Sequence, residues 1–344
     1  MWAKAALAIL LAVALAACGG SSGGRTSPST GEVASASTST LAAKRLQPAR
    51  WTTFVHVSRP LDVAGPRRDG SIVLAAAGHL ALLAPNGSAR PFASAYRSPG
   101  GEEPYIDVAP PGCFGADVVY ALRLRPPQGV VRVSADGRVR QLAILSAPGL
   151  IDGIAFDRTG AFGRRLLVTI NAGRRTTVEA IDCRGHIQTI TQHAPRVEGG
   201  LAVAPASFGR FGGDLIAPDE ISGVIYAITP GGKSILIGAS GLPHGQDIGV
   251  ESAGFVPAGG RAEALLADRR TPGNRHPGDD VVLGIGRAAL AAAGVRAGDL
   301  LVAGEGGTLT DAVRCGRAGC QIRRVAVGPR IAHGEGHIAF SVGR

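Results

Sequence analysis

Histidines and carboxylates in this sequence collect just ahead of short apolar runs, and that placement is the first sign of a site. Five of the eight histidines stand there (His56, His193, His244, His333 and His337), whereas His79, His186 and His276 do not. Carboxylates accompany them: Asp62, Glu102 and Glu103, Asp152, Glu198, Asp247 and Glu335. His244-Gly245-Gln246-Asp247 and His333-Gly334-Glu335-Gly336 are alike in form. Imidazole and carboxylate are ligands of zinc, and a set dominated by oxygens suits calcium. If separate segments converge on one axis, the expected ligands of zinc or calcium are His56, His193, His244, His333, Asp152, Glu198, Asp247 and Glu335. An open coordination position on such a metal polarises a carbonyl or activates water. The plainer alternative is a set of solvated loop residues, because Asp and Glu beside Gly often serve turns.

Other spacings carry less. Asp279-Asp280 follows Asn274-Arg275-His276-Pro277-Gly278 and reads first as an exposed excursion. Asp219-Glu220 sits at a strand-to-strand turn, where a solvated pair is the default. Gly304-Glu305-Gly306-Gly307 lacks the strand–helix context of a phosphate loop. No Gly-x-Ser-x-Gly elbow is present, which argues against an α/β-hydrolase.

The elements that must position these residues repeat. Gly153-Ile154-Ala155-Phe156-Asp157 leads to Leu166–Ile170, Val178–Asp182 and, after a Cys-Arg-Gly turn, Ile187–Ile190. The same order returns 47 residues on, with Gly200–Ala204, Asp214–Ala217, Val224–Thr229 and Ser234–Ile237. Weaker copies begin at Leu61, Ile106, Ala253 and Asp299, making six units, with His337–Phe340 left as an orphan first strand. In this reading Ala253–Val256 shares a unit with Glu263–Leu266 and Val281–Leu283, and the orphan completes the first unit. Four short strands per unit, joined by Gly, Pro, Asn and Asp turns, are the pattern of an all-β, six-bladed β-propeller. Seven blades or a pair of sandwiches are the alternatives. Arg287–Arg296, half of it Ala, predicts a short helix.

On those phrases, and on Gly212-Gly213-Asp214-Leu215 and Ile225-Tyr226 before Pro230-Gly231-Gly232, the chain resembles the NHL, SMP-30/gluconolactonase and TolB-like group of six-bladed propellers. The resemblance implies a central channel whose mouth is lined by residues preceding each innermost strand. The group includes lactonases, a zinc-histidine lyase, quinone-dependent sugar dehydrogenases and plain binding modules. The Glu, Asn, Asn, Asp ligand set of the lactonases has no match on the corresponding strands here. Fold alone does not choose among these functions.

Leu15-Ala16-Ala17-Cys18 closes a short apolar run that begins after Lys4, and Gly19–Gly24 follow as Gly and Ser. This resembles the lipobox of bacterial lipoproteins, which implies a signal peptide over 1–17 and lipidation of Cys18. Residues 18–48, poor in large apolar side chains, read as a flexible tether with a reach of about 30 Å. The propeller is then expected over 49–344, as a monomer on the extracytoplasmic side of the membrane. The formal charge of +10 is carried mostly by arginine, with Lys4, Lys44 and Lys233 the only lysines. Its arginines are scattered or paired and form no stripe with aromatics, so nucleic acid is not an expected partner.

Four further cysteines allow three pairings. Cys315 and Cys320 flank a Gly-Arg-Ala-Gly turn and are the expected hairpin clip, which leaves Cys113 with Cys183. The leading functional expectation is a lipid-anchored propeller binding an envelope protein, glycan or small molecule at its channel face. The alternatives are a metal-dependent lyase or hydrolase at the channel mouth and a quinone-dependent sugar dehydrogenase.

Overall fold

The computed structural model describes residues 46–100, 103–259 and 261–343; Cys18, the signal and most of the tether lie outside them, as does Glu102. Six antiparallel four-stranded blades stand around one axis, forming a six-bladed β-propeller. From the axis outward, blade one is Pro60–Ala64, Ile72–Ala76, His79–Leu83 and Ala89–Phe92. Blade two is Ile106–Val108, Val119–Arg123, Gly129–Val133 and Val139–Ile144. Blade three is Leu150–Phe156, Leu166–Ala172, Arg175–Ile181 and Ile187–Pro195. Blade four is Ala202–Val203, Leu215–Asp219, Val224–Ile228 and Ser234–Ala239.

These strands form where the sequence runs apolar without alternating. Leu166 through Ile170 are buried one after another, which suits a sheet covered on both faces. Adjacent blades share the core. Between blades two and three, Phe114, Tyr120 and Phe156 pack edge to face with ring centroids 5.0 to 5.4 Å apart. Each such pair adds about 1 kcal/mol beyond the apolar area it buries. Outward strands end in turns closed by their own side chains: the Asp182 carboxylate accepts the amides of Arg184 and His186 at 2.8 and 2.9 Å.

Blades five and six depart from the contiguous units read in the sequence. Val250–Phe255 pairs with Leu300–Gly304, followed outward by Thr310–Cys315 and Cys320–Val327. Arg261–Asp268 and Val281–Gly286 belong instead to blade six, between inner strand Gly334–Gly343 and outer strand Thr52–His56. The orphan strand therefore completes the last blade, not the first, and it meets the N-terminal strand only through the hairpin between them. Sequence order misleads here because the chain leaves blade five after one strand and returns later. The return is made by the expected helix, Arg287–Ala292, which ends at Gly294 with φ +80, the left-handed conformation of a helix C-cap.

Both disulfides follow the expected pairing. Cys315–Cys320 clips the outer hairpin of blade five, and Cys113–Cys183 links blades two and three with a Cα separation of 5.8 Å.

Candidate active site at the channel mouth

Local irregularity aims the functional side chains. Blade three carries one extra residue on its inner strand, Asp152, between Ile151 and Gly153; blade five carries Glu251 in the same way between Val250 and Ser252. A bulge of this kind turns the extra side chain out of the ladder. Asp152 and Glu251 thus face the channel from apolar strands. Beside them lie Asn171, near the end of the second strand of blade three, and Glu305, just after the second strand of blade five. Glu335 opens the last inner strand. The next residue, Gly336, has φ +66, and a Cβ there would meet the Asp62 carboxylate.

Seven carboxylates meet at this end of the channel: Glu103, Asp152, Glu198, Glu220, Glu251, Glu305 and Glu335. Tyr105 reaches across from blade two, its hydroxyl donating to Glu251 and lying 3.3 Å from Glu335 Oε2. Arg269 Nη1 donates to Glu335 Oε1 at 3.1 Å. His333 Nε2 is 2.8 Å from Glu305 Oε1 and 3.4 Å from Glu335 Oε1. Asn171 donates to Asp152, and Arg196 Nε donates to Glu198 Oε2 at 3.0 Å. Two groups have the spacing of metal ligands, with donor atoms within 4.8 Å of one another. They are Glu305, His333 and Glu335, and Glu103, Glu251 and Glu335.

The electrostatics follow from crowding. Burial, then the charge of Glu335, pushes the Glu103 carboxyl up to about 8, although Arg269 opposes the shift. Burial followed by Glu198 and Glu305 pushes Glu220 up to about 8. Glu251 and Asp152 rise well above the ordinary carboxylate range, again by burial first and neighbouring carboxylates second. Burial works against a proton on His333, yet Glu305 and Glu335 outweigh it and raise the imidazole to about 10. Arg196, Arg269 and His333 are the cationic groups among these carboxylates, too few to balance them.

Below the carboxylates the channel is closed. His337 Nδ1 lies 3.0 Å from Asp62 Oδ1 and its Nε2 lies 2.9 Å from the Ile154 carbonyl oxygen, so the ring spans the axis. Tyr105 sits over it edge-on, with ring centroids 6.4 Å apart. A hollow of about 240 Å3 on the far side, lined by Phe156, Arg158, Phe255 and His337 among others, is separated from the mouth by these two rings.

Of the residues expected as ligands, Asp152, Glu198, His333 and Glu335 do meet. Asp247 stays at the exposed rim, where its amide donates to Glu220 Oε1 at 2.9 Å. Three histidines are corrected. His56 lies exposed at the end of the outermost strand of blade six. His193 belongs to the outermost strand of blade three, which runs on to Pro195, and stands 3.5 Å from Arg175. His244 is held in an exposed loop, its ring against Gly223. Glu251, Glu305, Glu220, Asn171, Tyr105 and Arg269 were not expected as members. The signal for Glu251 was a lone carboxylate inside an apolar run; Tyr105 directly precedes the inner strand of blade two, and the others follow second strands or sit in one.

No protein-family model matches the chain, and no curated protein matches it. Solved structures do share its fold. A catalytically inactive virginiamycin B lyase from Staphylococcus aureus with quinupristin superposes with a TM-score of 0.50 at 14% identity, over 82% of this chain and 77% of that one. A streptogramin B lyase gives 0.48 at 12% identity, over 87% and 97%. The PQQ-bound aldose sugar dehydrogenase of Streptomyces coelicolor gives 0.37 at 13% identity, over 68% and 96%. At 14% identity the likeness to the first of these is one of fold alone.

Proposed function

We propose that this protein is a divalent-cation-dependent lyase or hydrolase acting on a small molecule at the channel mouth. The observation that carries the reading is the trio Glu103, Glu251 and Glu335, brought from three blades to ligand spacing. Ionised carboxylates this buried and this close are costly to a fold unless paired. A bound cation offsets that cost. Three oxygens suit magnesium or calcium better than zinc, because hard cations take carboxylate oxygens and keep open positions for water and substrate. Such a cation supplies Lewis-acid polarisation of a carbonyl or an activated water.

The chain's own residues do the rest. His333 holds a proton at Nε2 between Glu305 and Glu335 and is placed to give it to a leaving group, with Glu305 as its partner. Tyr105 and His337 close the floor and keep water from entering along the axis. The likeness in fold to a lyase supports elimination; attack by water at the same place makes the reaction hydrolytic. Partner binding alone, the leading expectation from the sequence, does not call for a buried carboxylate trio, so the enzyme reading is preferred.

The test is a calorimetric titration of the full chain with Mg2+, Ca2+ and Zn2+. One Mg2+ or Ca2+ bound per chain, lost in a folded Glu251→Gln variant, is the expected result. A folded wild-type protein that takes up none of the three overturns the reading.

We also propose that Cys18 anchors the chain to the outer side of the cell membrane. Support comes from the Leu15–Cys18 sequence. Mass spectrometry of the N-terminal peptide tests this: an acylated Cys18 is expected, and a free Cys18 thiol in the mature chain overturns it.

A further inference from the structure

The mouth is not acidic all the way round. Blade one has the same inner-strand bulge as blades three and five, between Pro60 and Asp62, but the extra residue is Leu61. It stands where they carry Asp152 and Glu251. Ala77, just after the neighbouring second strand, takes the register position that Asn171 and Glu305 hold in those blades. One sector of the ring has therefore exchanged its carboxylate and its polar partner for apolar groups.

That sector opens into a hollow of about 310 Å3, where Leu61, Ala75 to Ala77, Tyr96 and Pro104 form apolar wall and Arg59, Arg269, His79 and Ser98 supply the polar side chains. Arg269 belongs to both places. One nitrogen, Nη1, donates to Glu335, and among the described residues its other donors have no protein acceptor. Arg59, exposed and held at φ 46 by the turn into the inner strand, has no ion pair among the described residues. Two guanidinium groups over an apolar wall recognise an anionic head on an apolar body, because each unmade N–H can donate to a carboxylate oxygen.

We infer that this hollow is a substrate subsite for a carboxylate carried on an apolar body, docked on Arg59 and Arg269 with its remaining part directed at the carboxylate trio. The inference deepens the function proposed above and rests on it for the meaning of the trio. A single negative charge is preferred to a doubly charged phosphate because Glu335 and Glu103 stand beside Arg269, and repulsion grows with each added charge. Leu61 is the specificity element: a carboxylate there, as in blades three and five, would repel the ligand.

Hexanoate and its neutral analogue hexanamide are suitable probes, followed by ligand-observed NMR titration of the full chain. Hexanoate is expected to bind about tenfold or more tightly than hexanamide, the worth of one charge-assisted hydrogen bond. Arg59→Gln and Leu61→Asp are each expected to weaken hexanoate by about tenfold. Their melting curves report folding, and Arg59→Gln should leave Mg2+ or Ca2+ affinity unchanged. Equal affinity for the two probes overturns the subsite, as does hexanoate binding indifferent to both substitutions in folded protein. Hexanoate bound by a chain that takes no cation sinks the catalytic reading and leaves the subsite standing. Cation bound without hexanoate does the reverse.

Discussion

His337, three residues into the last inner strand, sets its Nδ1 3.0 Å from Oδ1 of Asp62 in the first inner strand, and its backbone amide donates to the same oxygen at 2.8 Å. The other Asp62 oxygen accepts the amide of Ile106 at 2.8 Å. One carboxylate thus ties blades six, one and two, and the imidazole carries the tie on to Ile154 in blade three. Burial disfavours charge on the ring, but Asp62 outweighs it and raises His337 to about 9, so the imidazole keeps its proton at neutral pH. Removing one partner of a buried pair leaves the other uncompensated, at a cost of about 3–5 kcal/mol. Asp62→Asn is therefore expected to lose about that much stability in urea unfolding at pH 7. A change under 1 kcal/mol would show that the seam is held by strand pairing alone.

Some of this architecture was legible in the sequence because pairing was local. In blades one to four each strand pairs with the next in the chain, so Gly153–Asp157 and its copies announce a blade in order. Blades five and six were misassigned because Val250–Phe255 finds its partner beyond an intervening hairpin. Apolar runs do not encode which neighbour they join. In the site, Asp152, Glu198, His333 and Glu335 were legible because they stand at or before inner strands. His56 and His193 satisfied the same local rule and failed it in space, since both lie on outermost strands. Glu220 and Glu305 follow second strands, where a carboxylate in a turn has an equally good local explanation. Their convergence depends on blade geometry.

The disulfides should contribute unequally. Cys113–Cys183 closes a loop with a sequence separation of 70, and Cys315–Cys320 one of 5. Loop-closure entropy assigns about 4 kcal/mol to the first and about 2 kcal/mol to the second. The expected result is that Cys113→Ala/Cys183→Ala lowers the urea midpoint more than Cys315→Ala/Cys320→Ala. The reverse order would mean that the hairpin turn, stretched around the Gly316 to Gly319 carbonyl contact at 2.8 Å, depends on its clip to form.

Asp157, the last residue of the repeated first-strand phrase, explains why that phrase ends in a carboxylate. Its Oδ1 accepts the amides of Thr159 and Gly160 at 3.0 and 2.9 Å and the Thr159 hydroxyl at 2.8 Å; its Oδ2 accepts the amides of Phe162 and Arg164 at 2.7 and 2.9 Å. Burial alone would raise the carboxyl, but these donors outweigh it and hold it below the ordinary carboxylate value of 3.8. A depressed folded value gives stability that is present above the unfolded pKa and lost as pH falls through the folded one. Asp157→Asn keeps the shape but gives up one acceptor oxygen and the charge, so it should cost about 2 kcal/mol at pH 7. The gap between variant and parent should then narrow below about pH 4, where the unfolded parent takes up a proton at this carboxylate before the folded one does. Urea midpoints measured for both proteins from pH 7 to pH 3 check the sign. A gap that stays constant with pH would assign the loop's stability to its backbone turns and not to the charge on Asp157.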